Sequence, residues 1–89
     1  MKAVITVVGQ DKVGIIAKVS GLLFENNINI LDITQTIMQN MFCMIMLVRF
    51  EDSTVDIKGI SEKLGVIEKE MGLSIHVQRE EIFGSMHRI

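Results

Sequence analysis

The residues whose types and order could do chemistry stand at two places, Gly9-Gln10-Asp11-Lys12-Val13-Gly14-Ile15-Ile16 and, one helix length later, Asn27-Ile28-Asn29-Ile30. In the first, a glycine releases a strand, an aspartate offers a carboxylate, and a second glycine leaves the opening turn of a helix bare. In the second, an asparagine enters the next strand, which is expected to lie beside that turn. Free amides at a helix N-terminus carry roughly half a positive charge and suit a carboxylate. Asp11 can accept from an ammonium group, and Asn29 offers both a donor and an acceptor. The candidate ligand-binding residues are therefore Gly9, Gln10, Asp11, Lys12, Val13, Gly14, Ile15, Asn29 and Ile30, and the chemistry is non-covalent capture of a small anionic polar molecule. Each has a purely structural counterpart. Asp11 can be an N-cap contributing about 0.5–2 kcal/mol, Gly14 can allow close helix–sheet packing, and Asn29 can form a bulge.

The elements that must position these residues follow from hydrophobic periodicity. Lys2 to Val8 is β-branched, ends at Gly9 and reads as a buried strand. From Asp11 the period becomes helical, with Ile16, Val19 and Leu23 in step and Ile15 and Leu22 widening the stripe. Ile28 to Met38 is a second strand whose alternation slips: Ile28 and Ile30 share one parity, and Leu31, Ile33 and Ile37 the other. Such a slip predicts a bulge or a change of buried face. Gln39-Asn40 reads as a two-residue hairpin turn, and Met41 to Phe50 as a third strand. Ser53 with Asp56 resembles a capping box before a helix on which Ile57, Ile60, Leu64, Ile67 and Met71 recur. Gly72 stands at the C-cap position, and Leu73, Ile75 and Val77 alternate with Ser74, His76 and Gln78 in a fourth strand.

The order βαββαβ with right-handed crossovers predicts an α+β, ferredoxin-like sandwich, a four-stranded antiparallel sheet of order 4-1-3-2 with both helices on one face. Residues 1–80 form the domain. In the tail, residues 81–89, the apolar Ile82, Phe83, Met86 and Ile89 are expected to dock on the domain or on a dimer partner. The third strand is apolar on both sides, with Phe42, Met44, Met46, Val48 and Phe50 on one and Met41, Cys43, Ile45 and Leu47 on the other. Helices cover one side only, so a second copy of the chain is expected over the other.

Composition points the same way. A chain of 89 residues hides only roughly 60–65% of its unfolded surface, yet 48% of this one is apolar and its mean hydropathy is +0.39. The surplus apolar surface favours a homodimer or higher homo-oligomer. A net charge of −2, a pI near 5.6 and only four aromatic residues, all Phe, argue against direct nucleic-acid binding. The longest apolar run is too short to span a membrane, and one cysteine makes no internal disulfide; a cytoplasmic setting is expected.

With these elements in place, Ala3 to Val8, Asp11-Lys12-Val13-Gly14-Ile15-Ile16, the helix end Leu22-Leu23-Phe24-Glu25-Asn26-Asn27 and Ile28-Asn29-Ile30 resemble the ACT domain. The likeness covers the chain up to Arg79. Its length and the ending Met86-His87-Arg88-Ile89 are most similar to bacterial proteins made of a single ACT domain, and more distantly to one half of the glycine cleavage system transcriptional repressor. Val13 stands where the family often has proline; it restores an N–H and frees φ. The resemblance implies a regulatory, amino-acid-responsive module with its site between subunits, acting in trans on a protein partner in metabolism or transcription. The alternative is a constitutive dimer without a ligand.

Other classes find less support in the residues. An enzyme on this fold would need a nucleophile or an acid–base pair, and only His76, His87 and Cys43 are scattered along the chain, Cys43 reading as a core thiol. No catalytic residue, cofactor or metal ligand set is expected. Met38, Met41, Met44 and Met46 suggest soft-metal ligands but read more simply as core or interface, and Glu62-Lys63 with Glu68-Lys69-Glu70 as a solvated face. RNA recognition would require exposed aromatics, for which Phe42 and Phe50 are the candidates.

Overall fold

A computed structural model describes residues 1–81. The expected docking of Ile82, Phe83, Met86 and Ile89, and His87, lie outside the described residues.

Six elements follow one another as β1 (Lys2–Gln10), α1 (Ile15–Glu25), β2 (Asn29–Met38), β3 (Met41–Arg49), α2 (Ile57–Met71) and β4 (Leu73–Arg79). The sheet order is β2-β3-β1-β4, the expected order read from the other edge, and all three pairings are antiparallel. Strand alternation turns Ala3, Ile5 and Val7 of β1 and Phe42, Met44, Met46 and Val48 of β3 to one face. There they meet Ile15, Val19 and Leu23 of α1 and Ile60, Leu64 and Ile67 of α2, all in one buried cluster. Both helices thus bury their apolar stripes on the same side of the sheet.

The local signals behave as their chemistry requires. Gln39 and Asn40 both take positive φ, 51° and 70°, as a tight primed turn demands. The parity slip in β2 is a bulge: Ile30 pairs with Val48 and Asp32 with Leu47, so Leu31 is the extra residue. Its effect is to bring Ile30, Ile33 and Ile37 onto the helix side, opposite Val48, Met46 and Phe42. Gly72 ends α2 at φ 66° and donates its N–H to the Glu68 carbonyl.

Three expectations are corrected. The cap of α2 is Asp56, whose Oδ1 accepts from the Gly59 amide at 2.8 Å. Ser53 instead closes a small turn, accepting from the Val55 amide and donating to the Val55 carbonyl, because its hydroxyl is too far outside the helix to reach the first turn. Cys43 is no core thiol: its parity in β3 puts it on the helix-free face, where it is exposed. Nor is the acidic run of α2 merely solvated. Glu68 accepts from the Ile75 amide at 2.8 Å and so ties α2 to β4, while Glu70 pairs with Lys18 at 3.5 Å.

Candidate functional site

Between β1 and α1 the chain must turn back over the sheet in four residues, Asp11 to Gly14. The Asp11 amide is fastened to the Asn40 carbonyl at 2.8 Å, which holds this loop to the tip of the β2–β3 hairpin. Gly14 then takes φ 93° and ψ 0° and delivers the chain into α1. That conformation costs any residue with a Cβ, whereas the space around Gly14 is open, with nothing within 4 Å of where a Cβ would stand. Close helix–sheet packing is therefore not its role. The close approach belongs to Gly9, where a Cβ would lie 2.6 Å from Leu73 Cδ2 across the β1–β4 pairing.

Because Gly14 is itself the N-cap, no side chain caps α1 and no acidic residue stands in its first turn. The Asp11 cap expected from the sequence is overturned. The left-handed step at Gly14 starts the helix three residues later than the aspartate could reach. The first helical bond runs from the Lys18 amide to the Gly14 carbonyl at 2.9 Å, so the amides of Ile15, Ile16 and Ala17 have no acceptor within the helix.

These amides border a concavity of about 450 Å³. Asp11, Lys12, Gly14 and Ile15 line it from the loop and helix, and Gln35, Ile37 and Phe42 from the sheet. Of the nine sequence-predicted residues the fold brings these first four together. Gly9 is taken up in strand packing, Gln10 ends β1 exposed, and Val13 points fully into solvent. Asn29 and Ile30 lie at the opposite end of the sheet, since Asn29 is level with Arg49 and, through it, Lys2. The eleven residues of α1 carry the chain roughly 16 Å from Gly14 before β2 begins. Within one chain, Asn29 is therefore not beside the helix start.

Gln35, Ile37, Ile16, Ala17 and Phe42 were missed as lining residues. Gln35 carried a legible signal: it stands opposite Met44, between Ile33 and Ile37, as the one polar side chain in an otherwise apolar helix-side column. Lys12 lines the concavity, but its ammonium donates to the Met71 carbonyl at 2.8 Å, at the C-terminal end of α2 where a cation is favoured. A larger concavity of about 520 Å³ lies at the far end, beside Met1, Ile57 and Val77. Of its polar groups, Asp56 caps α2 and Arg79 pairs with Glu81 at 3.9 Å, while Lys58 also lines it.

Other features of the described residues bear on the remaining classes. Phe42 and Phe50 are buried, so neither offers a platform for a base. Cys43 on β3 and His76 on β4 are separated by β1. No described helix is long and apolar enough to cross a membrane.

A sheet of this order with both helices on one face is a ferredoxin-like α+β sandwich. The chain belongs to the ACT domain family, whose profile matches residues 2–78. It is 57% identical over 89 residues to a UPF0237 protein of Clostridium perfringens, with 100% of each chain covered. Among solved structures, an ACT domain protein from Streptococcus pneumoniae superposes with a TM-score of 0.80 at 38% identity, covering 93% of both chains. A protein assigned as a glycine cleavage system transcriptional repressor gives 0.75 at 25% identity, covering 88% of this chain and 44% of that one.

Proposed function

We propose that the chain is a homodimeric sensor that binds a small anionic metabolite, an amino acid in the first instance, at the start of α1 and thereby changes its association with a protein partner. The observation that carries this reading is Gly14: a left-handed, side-chain-free N-cap facing a concavity, with three unpaired amides behind it. A ligand carboxylate would take the amides of Ile15 to Ala17, its ammonium the Asp11 carboxylate, and its remaining polar atoms Gln35. The likeness to a glycine cleavage system transcriptional repressor adds support for a regulatory output tied to amino-acid metabolism. A ligand shifts such an output only by its difference in affinity for the two association states.

The dimer completes the site. β2 is an outer strand with no Lys, Arg or Pro, and Ile33, Ile37 and Met38 are exposed along it. Long edges of this kind, with Asp32 as their one charged residue, pair with another strand unless they are blocked. Two copies paired antiparallel along β2 about a two-fold axis set the Asn29 end of one strand beside the Met38 end of the other, the end where α1 begins. Asn29 of the partner subunit then enters the concavity that its own chain keeps it from.

Calorimetry or thermal shift across the amino acids and related small acids tests this reading. At least one should bind once per α1 start, and Gly14→Leu should abolish that binding. A folded dimer that binds none of them would instead support a constitutive interaction module, a reading to which the 81% exposure of Phe24 on α1 also lends weight.

A further inference from the structure

The four clustered methionines do not share one environment. Met44 and Met46 are wholly buried in the core, whereas Met38 and Met41 are 68% and 46% exposed on the helix-free face. Cys43, two residues beyond Met41 in β3, is exposed on that same face. Met38 and Met41 are direct cross-strand partners closing the Gln39–Asn40 turn, and Cys43 is diagonal to Met38. Opposed side chains in such a pair stand roughly 4.5–5.5 Å apart at Cβ, and diagonal ones roughly 7–8 Å or somewhat less. Unbranched methionine stems with three rotatable bonds close those gaps readily. The positive-φ turn fixes the register, so the backbone holds the three sulfur-bearing residues together at one corner of the sheet. Their neighbours on this face, Gln10 beside Met41 and Thr36 and Val8 beside Cys43, carry no charge to repel a cation.

We propose that Met38 Sδ, Met41 Sδ and Cys43 Sγ form a binding site for a soft monovalent metal ion, Cu(I) or Ag(I). Thioether and thiolate sulfur select such ions; Asp11, whose amide is held to the turn, borders the α1 concavity with Ile37 and Phe42 of the helix side. Among the described residues no three His, Cys, Asp or Glu side chains come together as a metal site, and the coordination proposed here is by two thioethers and one thiolate. Binding converts the Cys43 thiol to a metal-bound thiolate and releases its proton to solvent; no electron is transferred. The site is independent of the α1 concavity and stands or falls separately from the small-molecule reading.

The test uses the full chain, reduced and kept anaerobic, titrated with Cu(I) against the chromophoric chelator bicinchoninate. One ion per chain should be withdrawn from the chelator. Cys43→Ser, and separately Met38→Leu with Met41→Leu, should each weaken binding by more than the roughly 10- to 100-fold that loss of a supporting group around a metal costs. All three positions are exposed, so circular dichroism should show unchanged folding. X-ray absorption on the Cu(I)-loaded native chain needs no variant and should count three sulfur neighbours. The proposal is overturned by failure to compete with the chelator, by a leucine double variant that binds as tightly as the native chain, by one ion bridging two chains, or by fewer than three sulfurs around the metal.

Discussion

The two helices of this domain begin in opposite ways. α2 starts at Asp56, whose carboxylate satisfies the Gly59 amide and sets a negative charge on the positive end of the helix. α1 starts at Gly14, which brings no side chain, no charge and no hydrogen-bond acceptor to the corresponding amides. Since an N-cap side chain contributes typically about 1 kcal/mol, a bare helix start in an 89-residue chain of small stability margin leaves available stabilisation unused. The difference leaves the amides at the start of α1 free for an outside acceptor, and on the proposed reading the concavity of about 450 Å³ beside them is where that acceptor would sit.

The largest way to break this contrast is Gly14→Leu. Forcing a Cβ into φ 93° costs about 1–2 kcal/mol, read as a lower urea midpoint, and the added side chain also screens the amides, so ligand binding is lost. Asp56→Ala does the converse at α2: stability falls by about 1 kcal/mol with binding unchanged, measured by paired denaturation and calorimetry. Gln35→Ala should leave stability within about 0.5 kcal/mol while weakening ligand binding by about 1 kcal/mol, roughly fivefold in Kd. The smallest effect on folding is expected of Asp11→Ala. With no cap to lose, its stability change should stay within about 0.5 kcal/mol, and a loss as large as that of Asp56→Ala would return Asp11 to the role of helix cap.

Features set by neighbours in sequence were legible before any coordinates. Gln39-Asn40 announced a two-residue turn because asparagine tolerates the positive φ such a turn requires, the slip between Ile30 and Leu31 announced a bulge or a change of buried face because strand parity is strict, and Ile57 to Met71 announced a helix by period alone. What depended on which face or which end an element presents was not legible. Cys43 lies in an apolar run with no polar residue to mark its outer side, so its exposure emerges only from the register of β3. Asn29 follows the helix closely in sequence, yet α1 carries it to the other end of the sheet, and only two-fold pairing through β2 would return it to a helix start. Asp11 looked like a cap because aspartate precedes the helical period. The left-handed turn at Gly14, which displaces the helix start, is a conformation that the glycine permits without announcing it.

The measurement that bears most directly on the central claim is an amide chemical-shift titration of the isotopically labelled protein with the amino acid that binds most tightly in calorimetry. Shifts should concentrate on the amides of Ile15, Ile16 and Ala17 and on the Gln35 side chain, with Ile57 to Gly59 at the start of α2 unmoved. Shifts that spare the start of α1 and gather elsewhere on the domain would contradict the account.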